Sequence, residues 1–563
     1  MDFPHYYQTE LAYYRGLARE YAQKFTEIGH IIGEGTSSGP AERLLQGAAL
    51  LTGRLRFRVV DDNPELIQAL YQRMWPQHLQ PVPATTMVRL SPRGGLSTSC
   101  YTVKGNLPIK ARALPGSLGI EPRFRTCGPV KVLPLELVDA KLDRAHPADL
   151  QLCLRFEATG GASVSAAGLT KIPLHFLGDD ATRFGLYYWL TQQAQAISVR
   201  NERGKTLLRL SPGELRPIGH DDESALLPFM HAPLPGWRLL HEYFVLPDKF
   251  LGVEVFGLEQ LPNTPGNKLE LVFHLGRPRN DRLRVDAENF ALGCTAAVNL
   301  APEETVEIPL AKETTAVQVN PPELKEIFSV EQVGCRNQNT GDWIEFQPFF
   351  APGRLRLLDT RPCFQLLQLA DGVERNRTYV YLTDTHGAPY APPSEQLKVW
   401  LICTDGVLAA RLPAGSVSEN TASTPDNVSV DNPTPVLPPA PLSGERDRGW
   451  RQLALYCMHP RDLATANGLN RLIESAALER TGEPPRVVSA RATMTTTLYQ
   501  RTVVPVRVVT IDMDDSKMQG PGELAVFAGV LNKIFTRTFD SAVFNQVVVR
   551  GRTHEVTLSF APH

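Results

Sequence analysis

No stretch of the chain is apolar for long enough to cross a bilayer as a helix, which takes roughly 18 or more consecutive residues, so no helical membrane span is expected. The opening residues, MDFPHYYQTELAYYRGLARE, lack a basic region followed by an apolar core, and no signal peptide is expected. Neither sign of charge is in excess. With 58 Lys and Arg against 60 Asp and Glu, for a net charge of -2, a nucleic-acid groove or an anionic membrane is excluded as the main partner, and protein partners remain the open class. Cysteine is sparse. The 8 thiols, at Cys100, Cys127, Cys153, Cys294, Cys335, Cys363, Cys403 and Cys457, show no C-x-x-C spacing, which fits reduced cytosolic thiols rather than a disulfide framework or a zinc ribbon. Also missing are a G-x-x-x-x-G-K-[ST] loop, a G-x-G-x-x-G turn after a strand and a G-x-S-x-G elbow, so the local geometries that cradle phosphates or expose a nucleophilic serine have no sequence support.

What the chain does have is length and turns. At 563 residues it exceeds one core and suggests about three to five domains. Its 46 prolines and 42 glycines point to a largely β middle. The clearest periodicity comes first: Tyr7, Leu11, Tyr14, Ala18, Tyr21, Phe25 and Ile28 recur at spacings of four and three, a heptad seam on a helix from about Phe3 to Ile28. Gly33 and Gly35 end it. Thr36, Ser37, Ser38 and Pro40 start a second helix carrying Leu44, Leu45, Ala48, Leu51 and Leu55. Asn63 and Pro64 start a third, with Ile67, Leu70, Tyr71 and Met74 as its buried side. The segment is either a self-contained bundle or one whose Tyr-rich seam, Tyr7, Leu11, Tyr14, Tyr21 and Phe25, packs on another chain; periodicity alone does not separate the two.

From Pro81 onward, short β-prone runs alternate with Pro and Gly turns. Examples are Val130 to Val138, Leu150 to Ala158, Leu269 to Leu275 and Lys398 to Cys403. Gly178, Asp179 and Asp180 lead into an apolar helix at Phe184 to Leu190. Ser416 to Gly444 is rich in Ser, Thr, Asn and Pro and reads as an exposed, protease-sensitive linker, since proline-dense backbone cannot join a central sheet. Beyond it, helices at Asp462 to Leu478 and Glu523 to Phe535 alternate with strands at Val487 to Leu498, Thr502 to Ile511, Phe544 to Arg550 and Glu555 to Phe560. The resulting expectation is an α+β multidomain chain: an N-terminal helical bundle at 1–80, a β domain at 81–165, central β-rich domains with short helices at 166–413, a linker at 414–444 and a C-terminal α/β domain at 445–563.

Two acidic clusters invite chemistry. In the central stretch Gly213 to Leu258, Asp221, Asp222 and Glu223 lie near His220, His231, His241 and Glu242. Ligands on one helical face need to sit a turn apart, and Pro228, Pro233, Pro235 and Gly236 break any element that would align these. Asp221 and Asp222 read instead as a turn, Trp237 onward as a short helix, and Leu251 to Phe256 as a strand. Asp512, Asp514 and Asp515 follow a strand end and suggest Mg²⁺, but a solvated loop is the simpler reading where no phosphate-binding element accompanies them. The alternative to a structural protein is a metal-dependent or carbohydrate-active enzyme with its site at Asp221 to Glu223 and His231.

Four stretches taken together resemble the TssF family of type VI secretion baseplate subunits, also called VasA or ImpG: HYYQTELAYYRGLAREYAQKF, DDNPELIQALYQRMWPQHLQPVPATTMVRL, the central GELRPIGHDDESALLPFMHAPLPGWRLLHEYFVLPDKFLGVEVFGL, and RLRVDAENFALGCTAAVNLAPEE. RLPAG, TPVLPPAPL and FNQVVVR follow in the same order. The chain departs from the family pattern in its second helix, at Gly47, Gly53 and the Arg-Phe-Arg of residues 56 to 58. The resemblance implies a structural, phage-tail-like role without catalysis, cofactor or metal. Two copies would wrap one TssG subunit in a cytoplasmic wedge that surrounds the VgrG hub, carries TssK, connects to the sheath through TssE and docks at the inner-membrane complex. Neither nucleic acid nor direct membrane insertion is implied. A bundle shared with the second copy and TssG would place the Tyr7, Leu11, Tyr14, Tyr21 and Phe25 seam at a partner interface.

Overall fold

The computed structural model describes residues 3–24, 40–60, 64–93, 99–113, 121–145, 149–160, 168–228, 236–262, 266–276, 283–301, 304–311, 313–322, 325–350, 361–370, 376–440, 455, 460–478, 482–499, 502–538 and 543–562. They fall into two compact units. One comprises Met1–Met74 with Ser443–Ala454, the other Trp75–Leu442 with Leu455–His563.

Among its described residues the first unit holds three helices: α1 (Phe3–Lys24), α2 (Pro40–Val60) and α3 (Pro64–Met74). Pro40 and Pro64 open theirs, where a missing N–H costs no helical hydrogen bond. α1 and α2 pack together. Arg15 on α1 reaches Glu42 in the first turn of α2, with Nε 3.0 Å from the carboxylate. Ala49 is buried between neighbours, as is Tyr71 on α3.

In the second unit a six-stranded antiparallel sheet runs in the order Val417–Glu419, Pro108–Ala111, Arg123–Thr126, Cys294–Val298, Thr85–Pro92 and Val428–Asp431. Its two outermost strands come from one stretch of chain and are tied together. Gly415 N–H donates to the Asn432 carbonyl at 2.8 Å, and Val417 N–H to the Asn432 side chain at 2.7 Å. The sheet therefore curls around a core of Val88, Ile109, Phe124, Ala297, Val417 and Val428. Here the sequence-based expectation is corrected. In its described part, residues 416–440, the Ser416–Gly444 stretch is no exposed linker: Val417 and Val428 are fully buried, and the proline tract runs along Val82 and Thr85 through paired backbone bonds from Leu437 and Ala440. Prolines are tolerated there because the residues between them, Leu437 and Ala440, supply the N–H groups, while Asn432 satisfies neighbouring backbone with its amide.

A five-stranded sheet combines Thr206–Leu210, Ala196–Asn201, Lys268–His274, Gln151–Ala158 and Leu135–Asp143, and a four-stranded one combines Leu215–Pro217, Gly252–Val255, Ile172–Phe176 and Phe290–Ala291. The expected boundary between 165 and 166 thus cuts through one sheet, because strands far apart in sequence pair with each other. The helix α4 (Asp180–Tyr188) starts where expected, capped by the Asp179 carboxylate on Thr182 N–H at 3.0 Å. Residues between Ala301 and Asp405 form a seven-stranded sheet with its own core of Val333, Phe346, Phe364, Val380, Leu397 and Val399. Both ends of this inserted module meet at Asn299, whose side chain accepts from Thr404 Oγ1 (2.7 Å) and Asp405 N–H (2.9 Å) and donates to the Asp405 carboxylate (2.7 Å).

The C-terminal α/β pattern is present. Strands Arg486–Tyr499, Thr502–Asp514, Phe544–Gly551 and Val556–Ser559 form one sheet. The two middle strands are parallel, and α7 (Pro521–Thr538) crosses between them. The expected separate domain from 445 onward is corrected in one respect: α7 packs on α4 and on α5 (Trp237–Val245), and α6 (Ala466–Ala476) packs on α5. At Gly522 a Cβ would run into the Phe184 carbonyl oxygen. At Gly236, with φ of 92°, a Cβ would sit 2.7 Å from Ile534 Cα. Both contacts require glycine, and they lock the C-terminal helix into the central sheets.

Candidate functional site

The central stretch that drew attention in the sequence lies at this junction. α5 reads Trp-Arg-Leu-Leu-His-Glu-Tyr-Phe-Val, apolar on nearly every side and buried throughout except at His241. Two charges sit inside it. Arg238 and Glu242 are one turn apart, with Arg238 Nη1 at 3.0 and 3.1 Å from the two carboxylate oxygens, and Glu242 is 2% exposed. Lys249 Nζ, equally buried, binds the other side of the Glu242 carboxylate, and Leu226 N–H donates to it at 3.0 Å. Burial pulls the Lys249 pKa down, against the carboxylate that raises it. Two buried cations on one buried anion leave positive charge, and Asp222 answers it. Its carboxylate accepts from Arg238 and, at 2.8 Å, from Arg537 at the end of α7. Arg537 also donates to the His220 carbonyl at 3.3 Å. The Arg537 hydrogen bond, with the two guanidinium charges, holds Asp222 below the usual carboxylate range. The cluster is a clasp between the central sheets and the C-terminal helix.

The expected ligand candidates are dispersed by this arrangement. His220 is buried edge-on to Phe250 and driven down to about 3, first by burial and then by the Lys533 and Lys249 charges, so it is neutral at physiological pH. His241 stacks on Trp237, with Nδ1 3.3 Å from the Ala476 carbonyl. His231 lies outside the described residues. Among the described residues no group of three His, Cys, Asp or Glu side chains has metal-binding geometry. Asp512 and Asp514 belong to their strand rather than following it. Buried Asp515 accepts from the Thr553 and His554 N–H groups (2.6 and 3.2 Å) and lies 2.7 Å from His554 Nδ1. Burial raises its pKa, but these donors outweigh it and the net shift is downward. It organises the turn before the last strand.

A cleft of about 610 Å³ opens beside the clasp, lined by Lys131, Lys171, His175, Asp222, Lys249 and Glu254 among others. Asp221 and Glu223 also line it; Lys171 pairs with Glu254 at 2.6 Å and Lys249 with the buried Glu242. Burial pushes the thiol of Cys294 in its wall up to about 12. Sequence reasoning missed the clasp because Arg537 is remote from Asp222; the available signal was an Arg and a Glu one turn apart in an otherwise apolar helix.

On the helical unit, Tyr7, Leu11 and Tyr14 are half-buried and Tyr21 lies within α1, while Phe25 and Ile28 fall outside the described residues. Among the described residues, apolar side chains on other faces are exposed: Tyr13 (63%) and Leu17 (49%) one turn apart on α1, and Leu44 (76%) and Leu51 (66%) two turns apart on α2.

Set beside known proteins, the chain matches the family model described as "Type VI secretion system, TssF" over residues 1–563. It is similar to the type VI secretion system component TssF1 of Pseudomonas aeruginosa, at 28% identity over 98% of this chain and 97% of that one. Among solved structures it resembles a chain of a type VI secretion TssK-TssF-TssG baseplate subcomplex (TM-score 0.77, 21% identity, 93% of this chain and 98% of that one). It also resembles a chain of a type VI secretion baseplate complex (TM-score 0.59, 19% identity, 100% and 99%).

Proposed function

Given that this chain belongs to the TssF family of the type VI secretion system, we propose that it is a structural subunit of the baseplate wedge, assembling with TssG-like and TssK-like chains. A second copy of itself would complete the wedge, with TssE-like and VgrG-like subunits at its borders and the whole lying in the cytoplasm against an inner-membrane complex. The observation that carries this reading is the likeness to TssF proteins along the entire chain, helical unit included.

The physical content of the role is rigidity in one unit and adhesion in the other. The clasp of Asp222, Arg238, Glu242, Lys249 and Arg537 fixes the β-rich unit as one body, as a scaffold that holds partners in register requires. In the helical unit, each apolar side chain left in water forgoes about 1.5 to 3 kcal/mol relative to burial. Tyr7, Leu11, Tyr14, Tyr21 and Phe25 form the proposed partner seam. Co-expression with a TssG-like chain, followed by native mass measurement, tests the assembly. A complex with two copies of this chain per TssG-like chain is expected; a chain that stays alone overturns the reading. The double variant Leu11→Asp with Tyr14→Asp should abolish assembly while the circular dichroism of the β-rich unit persists, because each buries an unpaired carboxylate. Assembly at undiminished affinity would remove the seam from the interface.

A further inference from the structure

The C-terminal sheet carries a feature that neither the family reading nor the clasp uses. Its first two strands, Arg486–Tyr499 and Thr502–Asp514, are 14 and 13 residues long, but the third joins only from Val506, where it pairs with Phe544. Beyond that point the hairpin continues as a two-stranded arm in which Thr495 faces Val506 and Tyr499 faces Thr502. Arg491 to Thr496 are exposed without alternation, so both faces of the outer strand are in water, and Met494 and Val503 are 59% and 67% exposed.

The two edges of the arm differ. On the inner strand, Pro505 interrupts the series of N–H donors, a common device against unwanted pairing. On the outer strand the base is closed: the Asn470 side-chain amide accepts from Val487 N–H at 2.8 Å and donates to the Val487 carbonyl at 2.9 Å, imitating a neighbouring strand. From Ser489 to Tyr499, among the described residues, no main chain outside the hairpin hydrogen-bonds to this edge. It carries no proline or lysine, and its threonine run favours extended structure. Charge along the whole hairpin has one sign only between Glu483 and Asp512. That span contains Arg486, Arg491, Arg501 and Arg507 and no carboxylate, in a chain whose net charge is -2.

We propose that the open edge at Ser489–Tyr499 accepts an extended acidic segment of a partner protein as an added β-strand. The edge supplies main-chain donors and acceptors in register, and the exposed Arg491 on that strand favours a carboxylate on the incoming one. Pairing with a second copy of the same arm would set like charges against each other, which disfavours that occupant.

The test follows amide exchange across Ser489–Tyr499 in the full chain. Two synthetic strand-forming peptides are compared, one alternating Glu with Val, the other with Lys in place of Glu. The Glu peptide should slow exchange at alternate amides by about tenfold, and the Lys peptide should leave it unchanged. Arg491→Glu should reverse the preference. Thr495→Pro should remove the slowing while exchange in α7 stays as in the parent, which shows that the sheet's body remains folded. Equal slowing by both peptides, slowing that grows with the chain's own concentration, slowing by anionic vesicles or RNA in place of the Glu peptide, or no slowing at all overturns the proposal.

Discussion

The inserted seven-stranded module and the C-terminal α/β sheet are both attached to the central sheets, but in opposite ways. The module closes around its own core and joins the body where both ends of the insertion meet, at the Asn299, Thr404 and Asp405 hydrogen bonds. Phe328 is its buried side chain in the body's apolar cluster. The C-terminal sheet shares its main helix with the body: α7 lies against α4 and α5 at glycine contacts, and Arg537 completes the charge clasp. Autonomy therefore follows from where a segment's apolar face is buried, not from how cleanly its pattern reads in the sequence.

Deletion gives the largest contrast. Replacing residues 304–402 by a short Gly-Ser connection should leave a cooperative thermal transition for the remainder, read by circular dichroism. Removing 460–563 should abolish it, because α4 and α5 lose their covering helices. A folded remainder after the second deletion would break the comparison.

Buried charge comes next. Glu242→Ala strands Arg238 and Lys249 without their anion and should cost about 3 to 5 kcal/mol in denaturant unfolding. In the module, the Lys325–Glu304 pair is more accessible, with side chains 21% and 20% exposed, and Glu304→Gln should cost about 1 kcal/mol or less. Similar losses at both positions would mean that the clasp is not the tighter attachment.

Gly522→Val should cost about 3 kcal/mol, since the new side chain meets the Phe184 carbonyl. Gly341→Ala in the module has nothing within 4 Å and only its φ of 78° against it, a penalty of about 1 to 2 kcal/mol.

The smallest effect per step is in pH. His220 at about 3, with His175 at about 4 and His78 at about 3, titrates below the ordinary 6.5, in each case chiefly because burial disfavours the cation. The unfolded chain thus binds more protons than the folded one between these values. Stability present above about pH 6.5 should fall as the pH drops toward 3, by up to about 1.4 kcal/mol per pH unit for each histidine. His220→Gln should flatten one share of that slope. The isolated module, whose one histidine is exposed His386, should lack it. An equal acid slope in the module would point to its carboxylates instead.

Much of the local structure was legible because it depends on near neighbours in sequence. Pro40 and Pro64 mark helix starts, Gly178 to Asp180 a helix entry, Gly236 the turn into α5, and Val487 to Leu498 and Thr502 to Ile511 two strands. The Ser416–Gly444 segment was misread because its composition is that of a loop, while its burial depends on strands at Thr85 and Pro108, remote in the chain. The likeness to a family of baseplate subunits was legible in the order of four sequence stretches, but the role of Asp222 in the clasp emerges only through Arg537.

What the sequence determined by itself was the order of its elements, the balance of its charge and the family to which it belongs, since each is carried by residues close together or by their order along the chain. Tertiary structure alone decided which strands share a sheet and that the proline tract belongs to a buried edge. It also decided that Asp222 belongs to a clasp and that, among the described residues, one edge of the C-terminal hairpin is left open. Those outcomes rest on contacts between residues far apart in sequence, and they are settled by which apolar faces and unpaired backbone groups can be satisfied together in space.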